Sequence, residues 1–144
     1  MAFLLTYYCP HIMALAFLVF FLAIDVPEKG RFFWRALAAV TIATVLAHLN
    51  RWFDLWPAHP YFASGHMTFC LGVTLSVALL RPWSLVITLP VLVALGVALV
   101  ELHFHRVGDV LGAIPLVLVV YAIVHGMWRI APALPPLDRA AVSP

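Results

Sequence analysis

Apolar residues fall into five long blocks along this chain, separated by short breaks rich in proline or charge. The blocks run from about Phe3 to Ile24, Phe32 to Leu49, Tyr61 to Leu80, Trp83 to Leu102 and Val107 to Trp128. A bilayer core of about 30 Å takes roughly 20 apolar residues as a helix, so each block is read as a membrane-spanning segment. The breaks are Val26 to Gly30, Asp54 to Pro60, Arg81-Pro82, and the polar run Glu101 to Asp109. Pro10 with His11 is expected to delay the start of the first helix, whereas Pro90 and Pro115 are expected to kink their helices rather than end them. The expectation is an all-α, polytopic membrane helix bundle of about five transmembrane helices. Residues 1–130 form one transmembrane domain, and the proline-bearing residues 131–144 are expected to be a disordered cytoplasmic tail.

Orientation follows from the basic residues. Lys29, Arg31, Arg35, Arg81, Arg129 and Arg139 share one side of this topology, and only Arg51 and Arg106 lie on the other. That asymmetry puts the first group in the cytoplasm and the N-terminus outside. Trp52, Trp56 and Tyr61 would belong to an outer aromatic belt, and Trp34, Trp83 and Trp128 to an inner one.

Composition agrees with this. The 144 residues are 65% hydrophobic and 10% charged, and the mean hydropathy is +1.08. Such values exclude an ordinary soluble domain. A net charge of +2, with no basic run, gives no reason to expect nucleic acid as a partner. Cys9 and Cys70 sit in or beside apolar blocks and read as packing thiols rather than a disulfide framework. The first block lacks a basic leader and a small-residue cleavage site, so it is read as a retained span. A homodimer through the first spans is compatible with this small bundle, and no strong small-xxx-small motif specifies one.

The polar residues are distributed on one side. The expected topology brings the end of span 2, the start of span 3, the end of span 4 and the start of span 5 to the same face. Six of the seven histidines lie there or at the outer N-terminus; only His125 lies near the opposite face. Ionisable groups at membrane depth are costly, so such a cluster is read as a functional site. His105 and Asp109 are four apart and share a face if helical. A carboxylate on one ring nitrogen fixes the imidazole tautomer and leaves the other nitrogen free as nucleophile or base. Glu101 is a second orienting acid if the helix continues that far. Ser64-Gly65-His66 precedes an apolar helix, where backbone amides favour an anion and glycine permits close approach. His66 is then positioned to give a proton to a leaving oxygen. Arg51 and Arg106 are candidates to neutralise phosphate oxygens. His48 and Asn50 are read as polar packing, His11 and His125 as interfacial.

Ala63-Ser64-Gly65-His66, followed by His105-x-x-x-Asp109-Val110-x-Gly112, resembles the second and third signature motifs of the type 2 phosphatidic acid phosphatase superfamily. That superfamily comprises integral-membrane lipid phosphatases and phosphotransferase relatives such as sphingomyelin synthases, and the resemblance covers about residues 45–128. It implies that His105 is a nucleophile forming a phosphohistidine, that Asp109 orients it, that His66 is the general acid, and that Ser64 and Gly65 bind phosphate. No metal or other cofactor is required in that scheme. The chain departs from the pattern at three places. Ala63 stands where the second motif has proline, and Ala98-Leu99 where the third has Ser-Arg. The first motif is reduced to Arg51 and the pair His59-Pro60. Arg51, Arg106, His59 and His103 are therefore the candidates to rebuild the phosphate cradle.

The expected function is hydrolysis of a lipid phosphate or diphosphate at the outer face of the cell membrane. Three alternatives stand beside it. One is a phosphotransferase of the same superfamily, and another is a non-catalytic lipid-binding member. The third is a metal centre built from His66, His103, His105 and Asp109.

Overall fold

A computed structural model describes residues 2–25, 28–53 and 63–130 of the chain, with side-chain detail omitted for Ala2, Phe3, Leu5, Arg129 and Ile130. The described chain is helical apart from short connections. Helix α1 spans Ala2–Ala23, α2 Lys29–Phe53, α3 Gly65–Leu80, α4 Leu85–Glu101 and α5 Val107–Ile130, with a 3₁₀ turn at Pro82–Ser84 before α4. Four of these are long and apolar enough to cross a membrane: Thr6–Ala23, Lys29–Phe53, Pro82–Glu101 and Val107–Trp128. Helix α3 has 16 residues, about 24 Å at 1.5 Å per residue.

The short α3 differs from the block expected to begin near Tyr61, and its cap supplies the reason. Ser64 is extended, with φ −65° and ψ 120°, and its Oγ accepts from the Met67 N–H at 3.4 Å. That satisfies one of the amides a helix start leaves open and sets the first helical residue at Gly65. Tyr61, Trp56, Asp54, His59 and Pro60 lie outside the described residues, as do residues 131–144.

The prolines act differently from one another in expectation but alike in the structure. Pro10 lies inside α1 and does not delay its start. Pro90 and Pro115 also lie inside α4 and α5. One missing amide donor does not end a helix whose remaining ladder is intact and whose neighbours pack around it.

Helices in lipid gain nothing by hiding large apolar side chains from other apolar groups, so contacts are made by small residues that let backbones approach. The buried stripe of α2 follows this rule: Ala36, Ala39, Ala43 and Ala47 are each no more than 2% exposed. Leu37, Ile42 and Val45 point away from the bundle. On α3, Gly72 lies against Val40, where an added Cβ would come within 3.1 Å of Val40 Cγ2. Gly96 of α4 makes an equally close approach to Val110 of α5. The Gly72 carbonyl also accepts hydrogen bonds from Tyr121 Oη at 2.6 Å and Ser76 Oγ at 3.0 Å, the two hydroxyls touching each other. This buried polar knot ties α3 to α5 midway along the bundle. Helices α2, α3 and α5 thus form the packed centre, with α1 and α4 laid against α3.

Gly72→Leu should destabilise the protein by about 1–3 kcal/mol through overpacking. Leu37→Ala, on the outward face of α2, should change stability by less than about 0.5 kcal/mol. Thermal unfolding in detergent measures both.

Candidate active site

The antiparallel course of the helices brings the end of α2, the start of α3, the turn after α4 and the start of α5 to one end of the bundle. There they enclose a cavity of about 450 Å³ whose walls carry His48, Arg51, Gly65, His66, His105 and Asp109. Its size is that of an ordinary small-ligand site. Thr6 and Tyr7 of α1 close one side, and Leu99 and Phe104 form an apolar rim on another.

Two stretches distant in sequence are joined directly. The Ser64 backbone N–H donates to the Asp109 carbonyl at 2.9 Å. The Ser64 carbonyl accepts from Thr68 N–H, so the cap residue is held on both sides. Ser64 is fully buried; its hydroxyl caps α3 and its main chain fixes α3 to α5. Gly65 and His66 follow, with first-turn amides that have no intrahelical acceptor.

His105 does not lie on a helix with Asp109. Helix α4 ends at Glu101, the chain reverses through residues 102–106, and α5 begins at Val107. His103 has φ 56°, a left-handed conformation that makes the reversal possible. Asp109 reaches back across this turn. Its Oδ2 accepts from the Arg106 backbone N–H at 2.9 Å, a helix-capping contact, and lies 3.5 Å from His105 Nδ1. The pair is largely enclosed, with side chains 14% and 13% exposed. Burial holds the His105 imidazole below the usual histidine range. The Asp109 carboxylate pulls the other way, and the Arg51 guanidinium pushes it down again. With Nδ1 toward the carboxylate, Nε2 is the nitrogen left for chemistry.

The other expected site residues sit elsewhere. Because α4 stops at Glu101, that residue does not share a helix face with His105; it is exposed beside an apolar groove between α4 and α5. His103 and Arg106 line a shallow depression on the outer side of the His105 turn rather than the main cavity. His59 lies outside the described residues. Among the described residues, no group of three or more His, Cys, Asp or Glu side chains is arranged to hold a metal ion.

His48, read from the sequence as polar packing near a helix end, packs against α3 and also lines the cavity. Its Nδ1 is 2.8 Å from the Thr44 carbonyl. A carbonyl only accepts, so Nδ1 carries the proton and Nε2 is free. The ring lies against Gly65: a Cβ at that position would stand 3.0 Å from Nε2 and would overlap the ring at Cε1. The glycine is required here by the imidazole as well as by access to the amides. The spacing of His48 and Arg51, one turn apart on α2, was the sequence signal for this.

Gly65→Ala should displace the His48 ring and break its bond to Thr44. In protein with ¹⁵N-labelled histidine, the Nδ1–H tautomer signal of His48 should disappear while helix content by circular dichroism is retained. No family model matches this chain, and neither a curated protein nor a solved structure does.

Proposed function

We propose that this protein is a membrane lipid phosphatase related to the type 2 phosphatidic acid phosphatase superfamily, acting through a phosphohistidine at the outer membrane face. The observation that carries the reading is the convergence of His66, His105, Asp109 and Arg51 on one cavity at one end of an apolar bundle. Four long apolar helices are compatible with a membrane protein, and the distribution of Lys and Arg argues for the cavity end being exoplasmic. A lipid phosphate would enter with its headgroup in the cavity and its chain in the surrounding bilayer.

In this mechanism the neutral His105 Nε2 attacks phosphorus, and the bond to the lipid oxygen breaks. His66 gives its proton to that departing oxygen, releasing a lipid alcohol. Asp109 stabilises the positive charge that develops on His105. Arg51 and the amides at the start of α3 neutralise the phosphoryl oxygens. Water then attacks the phosphohistidine, its proton passing to His66. The phosphorus–nitrogen bond breaks, and inorganic phosphate leaves with both histidines restored.

His105→Ala should abolish phosphate release from lipid phosphates by the purified protein, with folding in detergent retained. Brief incubation with ³²P-labelled substrate and acid quenching should label the wild type and leave this variant unlabelled. Undiminished turnover in the variant would remove the nucleophile assignment. Unlabelled wild-type protein that binds lipid phosphate without cleaving it would favour a non-catalytic role. Added lipid alcohols that become phosphorylated would favour transfer.

The need for a protonated His66 sets the alkaline limb of the pH profile, and the state of His105 sets the acidic limb. Burial favours the neutral imidazole, so activity should persist below the usual histidine value of about 6.5 and fall only at lower pH. Asp109 favours the protonated form and Arg51 opposes it. Asp109→Asn should therefore move the acidic limb of kcat/KM to lower pH and reduce turnover by roughly 10²-fold. Arg51→Gln should move that limb upward.

A further inference from the structure

Of the imidazole, guanidinium and carboxylate side chains on the cavity wall, His48 is the one that the reaction described above leaves unused. It projects from α2 one turn before Arg51, so both reach the cavity from the same helix face. The bond from Nδ1–H to the Thr44 carbonyl holds the ring, and Gly65 leaves it room beside the first turn of α3. The other titratable side chains on the cavity wall are Tyr7 on α1, His66 on α3, and His105 and Asp109 across the cavity, with His11 stacked on Tyr7. Asp109 is already engaged by the Arg106 amide and by His105. Among the described residues, Arg51 is the one guanidinium on the cavity wall.

Arg51 and the protonated His66 that the reaction needs, set against the Asp109 carboxylate, leave one net positive charge, short of the nearly two negative charges of a terminal phosphoryl group at neutral pH. A protonated His48 supplies another, and protonation converts Nε2 from an acceptor to a donor without disturbing the Nδ1 bond. Resting on the phosphatase reading, we propose that His48 is a phosphate-binding residue. Its Nε2–H donates to a non-bridging oxygen, and together with Arg51 it selects a doubly charged terminal phosphoryl group over a singly charged phosphodiester. The ligand class is thus a lipid phosphate monoester, or the terminal phosphate of a lipid diphosphate. His48 takes no proton and forms no bond to phosphorus.

The test compares wild type with His48→Ala, His48→Gln and His48→Lys, purified in detergent and checked for fold by gel filtration and circular dichroism. The substrates are dodecyl phosphate and the phosphodiester dodecylphosphocholine, with inorganic phosphate as a competitive inhibitor. Wild type should prefer the monoester. His48→Ala and His48→Gln should raise KM for it by about tenfold or more, as for a lost charge-assisted hydrogen bond, with kcat changed by less than about threefold. Inhibition by inorganic phosphate should weaken in parallel. His48→Lys, which restores a cation, should recover most of the affinity; a purely structural role for the ring predicts no such rescue. An unchanged KM in the neutral variants, or a loss confined to kcat, would overturn the role of His48 while leaving the phosphatase intact. Folded wild-type protein that cleaves neither substrate nor any other lipid phosphate would overturn the phosphatase reading and this inference with it. If His48→Ala fails to fold, the Gln and Lys pair decides between the same outcomes.

Discussion

The candidate site depends on a single main-chain hydrogen bond, from the Ser64 N–H to the Asp109 carbonyl at 2.9 Å. It joins the residue that caps α3 to the first turn of α5. Each partner also acts through its side chain. The Ser64 hydroxyl closes the start of α3, and the Asp109 carboxylate caps α5 while lying beside His105. Both histidines are positioned by residues that also terminate helices. Displacing the start of either helix would move an imidazole, because no long side chain intervenes to absorb the shift.

The apolar bundle supplies the rigidity behind that bond. Against lipid, large side chains turned outward cost nothing, and small ones inside allow close backbone contact. The alanine stripe of α2 and Gly72 of α3 bring those helices together. The Tyr121–Ser76–Gly72 hydroxyl and carbonyl contacts hold α5 to α3. Because α2, α3 and α5 are fixed against one another along their length, His48, His66 and Asp109 are fixed at their ends. The polar side chains of three helix ends and one turn collect there around one cavity.

The turn between α4 and α5 decides which members of the polar run face the cavity. The left-handed conformation at His103 reverses the chain within five residues. His105 turns inward and the exposed Phe104 stands at the cavity edge, while His103 and Arg106 line a second depression and Glu101 remains on α4 beside a separate groove. A continuous helix from Glu101 to Asp109 would have put Glu101 and His105 on one face instead.

The sequence by itself determined the apolar blocks, their number and order, and the one-sided placement of histidines, since block length and alternation of ends are properties of a chain in a bilayer. It also marked Ser64, Gly65, His66, His105 and Asp109 as belonging together. It placed the break between the fourth and fifth blocks, but not the left-handed backbone at His103 that takes His105 off the helix carrying Asp109, because the same polar letters suit a helix end or a turn. It also did not identify His48, whose position near the end of an apolar block looks like packing. Only the tertiary structure brings that ring to Gly65, because only there does the space a missing side chain leaves on one helix meet an imidazole from another.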